Sequence, residues 1–127
     1  KFKKSNIQKI VSIKQVKEVL NVLDKSAPAI LSIFAGRIAD TGIDPLKIIE
    51  EAIELSKVKP KSEILWASTR EMLNIFQANK ADCHIITVPH EILKKLSYLN
   101  KDLEEFSLET VESFYKDALA AGFKIKI

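Results

Sequence analysis

The sequence predicts an α/β fold on a parallel sheet, with four β/α units in a row and a helical tail. Three observations carry this reading. Short apolar runs alternate with segments whose apolar residues recur at helical spacing. Successive runs begin roughly 20 to 35 residues apart, the length of a βαβ crossover, which forces neighbouring strands to be parallel. The run over 28–34 is apolar almost throughout, the pattern of a strand covered on both faces.

The first strand is predicted over 7–11. Ser12 then reads as an N-cap with Gln15 three residues on, a capping-box arrangement. Behind it Ile13, Val16, Val19, Leu20 and Leu23 share one helical face. After the second strand, 28–34, a turn-rich loop is predicted over 36–44. Asp44 caps the next helix, and Pro45 sits at its first position, where a missing N–H costs nothing. Ile48, Ile49, Ala52, Ile53 and Leu55 form that helix's stripe.

A breaker, Lys59-Pro60-Lys61, leads into the third strand, 63–67, and a helix over 69–79 that turns Met72, Leu73, Ile75 and Phe76 inward. The fourth strand, 84–88, ends at Pro89. A helical tail occupies about 100–121. Its last helix starts near Ser107, buries Val111, Phe114, Tyr115 and Leu119, and stops at Gly122. Residues 123–127 alternate like a short strand, although a frayed end is the plainer reading.

Composition narrows the class. The chain has 127 residues, one domain's worth, and a hydrophobic fraction of 46%. A formal net charge of +3, from 20 basic and 17 acidic side chains, is too small and too spread for a nucleic-acid footprint. The basic residues gathered at Lys1, Lys3, Lys4 and Lys9 read as a solvated end. A single cysteine, Cys83, allows no intrachain disulfide, which fits a reducing compartment. No apolar stretch approaches the roughly 18 residues of a membrane span, so a cytoplasmic protein without membrane or nucleic-acid partners is expected. His84 and His90 lack a second ligand at metal spacing, so no metal site is expected.

Strand alternation places candidate polar groups. Ile30, Ser32 and Phe34 share one face of the second strand, with Gly36 and Arg37 just past its end. Ile64, Trp66 and Ser68 share one face of the third, with Arg70 just past. Asn6, Gln8 and Ile10 share one face of the first, and Lys9 points the other way. Carboxyl ends of parallel strands are where such folds bind ligands. Two guanidiniums with serine hydroxyls and backbone N–H groups suit phosphate oxygens. The plainer alternative stays open: Ser68 is an N-cap and both arginines make surface ion pairs.

Four strands cannot close a barrel, which takes eight and about 250 residues. Either another chain completes it or the sheet stays small and open.

The literal strings add a resemblance. Ser32-Ile33-Phe34-Ala35-Gly36-Arg37-Ile38, with Asp40-Thr41-Gly42 and Asp44-Pro45 following, is similar to the S-x-F-x-G-R-I segment of the transaldolase/fructose-6-phosphate aldolase family. Ala67-Ser68-Thr69-Arg70 resembles its A-S-x-R. Residues 83–89 resemble its last barrel strand with the T-[IV]-P ending, and Asn6-Ile7-Gln8 falls where it has N-[LIV]-T.

The resemblance implies the C-terminal half of a transaldolase-like (β/α)₈ barrel. It also implies a cofactor-free class I aldol mechanism of sugar-phosphate metabolism, in which a lysine forms a Schiff base with a ketose phosphate. By it, Arg37, Ser68 and Arg70 match phosphate-binding positions. Asn6 and Ser32 match positions that bond the dihydroxyacetone part. Phe34 matches an aromatic that tends to be Tyr in the aldolase branch, which leans toward the transferase.

The family's lysine lies on the fourth strand and its acidic shuttles on the first and third, whereas this chain matches from the fifth onward. No catalytic residue is therefore expected here. Gln8 stands where the family has a water-positioning Thr. The expected partners are a phosphorylated sugar and either a second copy or another chain completing the barrel. The alternatives are a non-catalytic, self-associating half-barrel that binds sugar phosphate, or a degenerate remnant.

Overall fold

The computed structural model describes residues 4–122. Contacts gather the chain into two compact units, one running to Lys94 and the other beginning at Lys95. The first holds β1 (Ser5–Ile10), α1 (Ile13–Val22), β2 (Ala29–Phe34), α2 (Ala35–Ala39), α3 (Pro45–Ser56), β3 (Ser62–Ala67), α4 (Leu73–Lys80), β4 (Ile85–Ile86) and α5 (His90–Leu93). A 3₁₀ turn, Lys94–Tyr98, and then α6 (Leu103–Ala120) follow. The strands form one sheet in the order β1-β2-β3-β4, and every neighbouring pair is parallel. The expected α/β order and parallel sheet are present.

Local chemistry sets several boundaries as read from the sequence. Ser12 Oγ accepts the Gln15 N–H and Gln15 Oε1 accepts the Ser12 N–H, both at 3.2 Å, closing the capping box. Asp44 Oδ1 accepts the Leu46 N–H at 2.9 Å ahead of Pro45. Gly122, at φ 84°, takes the left-handed conformation beyond the last helix.

Other boundaries differ. The first strand spans Ser5–Ile10, not 7–11, because its ladder to β2 begins at Ser5 opposite Ala29. The loop expected over 36–44 contains the short helix α2. The fourth strand shrinks from 84–88 to two residues, since the His84 ring Nδ1 accepts the Ile64 N–H at 2.9 Å where a ladder carbonyl would otherwise serve.

The helix expected over 69–79 starts only at Leu73. It buries Asn74 and Ala78 and leaves Leu73 and Phe76 exposed. Asn74 is drawn inward by its bonds to the backbone amides of Arg70 and Glu71.

One face of the sheet makes the core. Leu31, Ile33, Ile64 and Trp66 are fully buried with Val16 of α1 and Ile49 of α3. The registers Ile33↔Trp66 and Leu31↔Ile64 put Trp66 and Ile64 on this face, whereas Ser32 pairs with Leu65. Ile64 and Trp66 thus lie on the face opposite Ser32, because alternation within a strand does not reveal its offset to the next.

The face bearing Ile30, Ser32, Phe34 and Leu65 contributes nothing to the core cluster. Along β1 the register slips between Ile7↔Leu31 and Ile10↔Ile33, and Lys9 has φ 63°. This one-residue bulge turns Ile10 into the core, 2% exposed, and away from Asn6. It also removes the alternation by which Lys9 was expected to point opposite Gln8.

The second unit corrects the sequence reading more sharply. α6 begins at Leu103, capped by Asp102, rather than near Ser107. It buries no residue. Val111, Phe114, Tyr115 and Leu119, expected to face inward, are 62%, 71%, 42% and 50% exposed. Helical spacing says which residues share a stripe, and not that anything covers it. Within the unit, Tyr98 and Phe106 pack edge-to-face with centroids 5.2 Å apart, and the Lys101 ammonium lies over both rings. The strand-like 123–127 lies outside the described residues. No described helix is long and apolar enough to cross a membrane.

A close join in the sheet unit lies at Gly36, the second residue of α2. A Cβ there would run into the Ser68 carbonyl oxygen and stand 2.5 Å from Ser68 Oγ and 2.7 Å from Arg70 Nε. The segments leaving β2 and β3 meet backbone to backbone, and only glycine permits it. We expect Gly36→Ala to destabilise the chain by about 1–3 kcal/mol in urea unfolding, the cost of overpacking against an unyielding backbone. A change below about 0.5 kcal/mol, within the range of an ordinary surface substitution, would contradict this packing.

Candidate functional site

The candidate site lies just past the carboxyl ends of β2 and β3. Six successive pairs, Ala29↔Ser62 through Phe34↔Ala67, bring the two strands to the same height, so both chains leave the sheet together. From β2 the chain enters α2, which carries Arg37. From β3 it passes through Ser68, whose φ of 60° is left-handed. That conformation costs a non-glycine residue about 1 kcal/mol or more, and such strain concentrates where geometry serves function.

The Ser68–Glu71 segment is pinned from below. Asn74 Oδ1 accepts the backbone N–H groups of Arg70 at 3.0 Å and Glu71 at 3.1 Å, and Asn74 Nδ2 donates to Gln77 Oε1 at 2.9 Å. Asn74 is 9% exposed, so these bonds are little contested by solvent. Sequence reasoning missed this residue. The available signal was an Asn four positions after Arg70, the spacing of a side chain that reaches back to loop amides. Between these anchors the Thr69 hydroxyl is buried with no protein partner.

The arginines behave differently. Arg70 forks onto Asp40, with Nη2–Oδ2 at 3.2 Å and Nη1–Oδ1 at 3.4 Å. Arg37 is exposed and enters no ion pair among the described residues. Arg37 and Asp40 line one cleft of about 560 Å³ with Val11, Ile38, Thr41 and Ile43. Asp40 thus pairs with Arg70 and shares a cleft with Arg37. The plainer alternative is half right: Arg70 does make a surface ion pair. Ser68, however, caps no helix, because Met72 holds the N-cap position of α4.

A second group lies on the sheet face away from the core. Ser32 Oγ donates to Asn6 Oδ1 at 3.0 Å, joining β1 and β2. Ser32 is 4% exposed, while Asn6 is open to solvent. Phe34 is half-buried at the top of β2, paired with Ala67. Gln8 is exposed beside the bulge. The structure therefore ties Ser68 and Arg70 to the Gly36–Arg37 turn, and it ties Asn6 to Ser32.

Cys83 takes no part. Burial pushes its thiol above the ordinary value of 9.0, opposed by hydrogen bonds with backbone groups, and its Sγ lies 3.2 Å from the Ile64 carbonyl. Among the described residues no cluster of three or more His, Cys, Asp or Glu is placed to hold a metal ion.

Comparison with known proteins points to one family. The family model for transaldolase/fructose-6-phosphate aldolase matches residues 4–126. A "Probable transaldolase" of Thermoanaerobacter sp. (strain X514) is 33% identical over 96 residues, covering 75% of this chain and 42% of the relative. Another, from Nitrosopumilus maritimus (strain SCM1), is 31% identical over 105 residues, covering 81% of the chain and 46% of the relative. A third, from Clostridium kluyveri (strain NBRC 12016), is 31% identical over 98 residues, with 69% and 46% covered. The chain spans less than half the length of these curated relatives. Four parallel strands with their helices are what part of a (β/α)₈ barrel would contribute. With the family model matched from Lys4 nearly to the last residue, this chain belongs to the transaldolase/fructose-6-phosphate aldolase family.

Proposed function

We propose that this chain supplies the phosphate-gripping end of a transaldolase-type site, with the Schiff-base lysine carried on strands outside these residues. The carrying observation is the Gly36 join. It sets Ser68 and Arg70 against the turn that bears Arg37, at the carboxyl ends of two registered parallel strands. Planar guanidiniums, a serine hydroxyl and backbone N–H groups complement phosphate oxygens. The Asn6–Ser32 pair, lower on the sheet face, offers hydroxyl and amide groups to the dihydroxyacetone part of a ketose phosphate. Phe34, rather than Tyr, favours the transferase over the aldolase.

The reaction class is aldol transfer through a lysine Schiff base, with a carboxylate and a bound water moving protons. Lys9, a lysine on a strand of this chain, is exposed at the β1 bulge. Gln8 in place of the family's Thr would seat the water differently.

A second reading rests on the sheet itself. β1 and β4 are its edges, and the face of Ser32 and Leu65 stands outside the core cluster. Unpaired parallel edges are a liability, so we propose that four further strands close the barrel. A second copy of this chain would supply them with all strands parallel, and so would another polypeptide. A second-copy barrel would be a sugar-phosphate-binding assembly without a catalytic lysine.

Two measurements test these readings. With the 127-residue chain alone, inorganic phosphate or fructose 6-phosphate is expected to raise the melting temperature, and Arg37→Ala with Arg70→Ala to abolish the shift. Borohydride trapping with fructose 6-phosphate is expected to leave its intact mass unchanged. A stable adduct would contradict the placement of the nucleophile outside these residues. Mass in solution is expected to show a dimer or larger, and a well-folded monomer would count against closure by a second copy.

A further inference from the structure

We infer that Asp40 is a positioning residue of the anion site: a built-in counter-ion that holds the Arg70 guanidinium at the rim and lowers the affinity for phosphate, which must displace it. The inference rests on reading Arg37, Ser68 and Arg70 as a phosphate grip.

Geometry and exposure carry it. Asp40 faces the two terminal nitrogens of Arg70 at 3.2 and 3.4 Å, both longer than the roughly 2.7–2.9 Å of a tight charge-assisted bond. Both side chains are 51% exposed, so water competes for the pair and it contributes little to stability. The pair is formed loosely, where it is easily exchanged. On the other side Asp40 follows Arg37 by three residues, as the C-cap of α2, and lines the same cleft. The neighbouring hydroxyl, Thr41 Oγ1, is committed to the Ile38 carbonyl at 2.7 Å. One carboxylate therefore pairs with Arg70 and shares the cleft that Arg37 lines.

Two consequences follow from elementary electrostatics. While Arg70 is forked onto Asp40, its side chain keeps one orientation over Gly36 and Ser68 instead of sampling solvent, so less ordering remains for a ligand to impose. When phosphate takes the fork, Asp40 is left as a like charge a few ångströms from a dianion. The site is pre-oriented and weakened by the same residue. A free phosphate would then occupy it poorly, and a sugar phosphate with further contacts at Asn6 and Ser32 would hold better.

The test is calorimetric titration of the 127-residue chain with inorganic phosphate at low salt. Asp40→Asn, which keeps the shape and removes the charge, is expected to bind phosphate about three- to tenfold tighter than the unsubstituted chain. The gap should shrink as ionic strength rises. Asp40→Glu, which keeps the charge, is expected to stay within about twofold of the unsubstituted chain. A merely structural Asp40 predicts weaker binding in the Asn variant. Equal or weaker binding by Asp40→Asn, with both proteins folded and the unsubstituted chain binding phosphate, would overturn the inference alone. Absence of phosphate binding in both proteins would instead sink the phosphate site, and the role of Asp40 with it.

Discussion

The register between β2 and β3 is the constraint on which the rest depends. Because Phe34 pairs with Ala67, both strands end at one height and their continuations must share the same small volume above the sheet. That volume accommodates Gly36 against the Ser68 backbone and nothing larger. From this single join follow the left-handed turn at Ser68, the position of Arg70, and its reach to Asp40 three residues beyond Arg37. Stability and candidate chemistry are separated along the same strands. The core residues Leu31, Ile33, Ile64 and Trp66 alternate with those of the Ser32 face, so the sheet is anchored on one side while the other keeps polar groups available.

The forces at the rim are weak by comparison. A half-exposed ion pair such as Arg70–Asp40 contributes about 0–1 kcal/mol, whereas each large buried core side chain contributes about 1.5–3 kcal/mol. Folding therefore does not depend on where the Arg70 guanidinium rests. What must be rigid is the backbone beneath it, and there the bonds are buried: Asn74 holds the amides of Arg70 and Glu71. A weakly paired charged head on a fixed backbone is a sound design for capturing an anion, since any lost freedom is confined to one side chain.

Much of this was legible in the sequence, and the failures have physical reasons. Caps were readable because they are local: Ser12 with Gln15, and Asp44 with Pro45, depend on residues within one turn. The strands were readable as apolar runs. Their faces were not, because the offset between Ser32 and Leu65 is a property of two strands together. The bulge gave no warning, since the residue with positive φ is Lys9 and not a glycine. The stripe of α6 was correctly grouped and wrongly buried. At the site, the motif residues were found; Asn74 was overlooked although its contacts lie within one turn, and Asp40 because its contact joins two β/α units.

The most direct test of the account is a two-dimensional amide NMR titration of the isotope-labelled chain with inorganic phosphate. The account predicts that the largest saturable shifts fall on Gly36, Arg37, Ser68, Thr69 and Arg70, the two backbone stretches that meet above the sheet. Shifts scattered over lysine-rich helix faces, with those five amides unmoved, would contradict it.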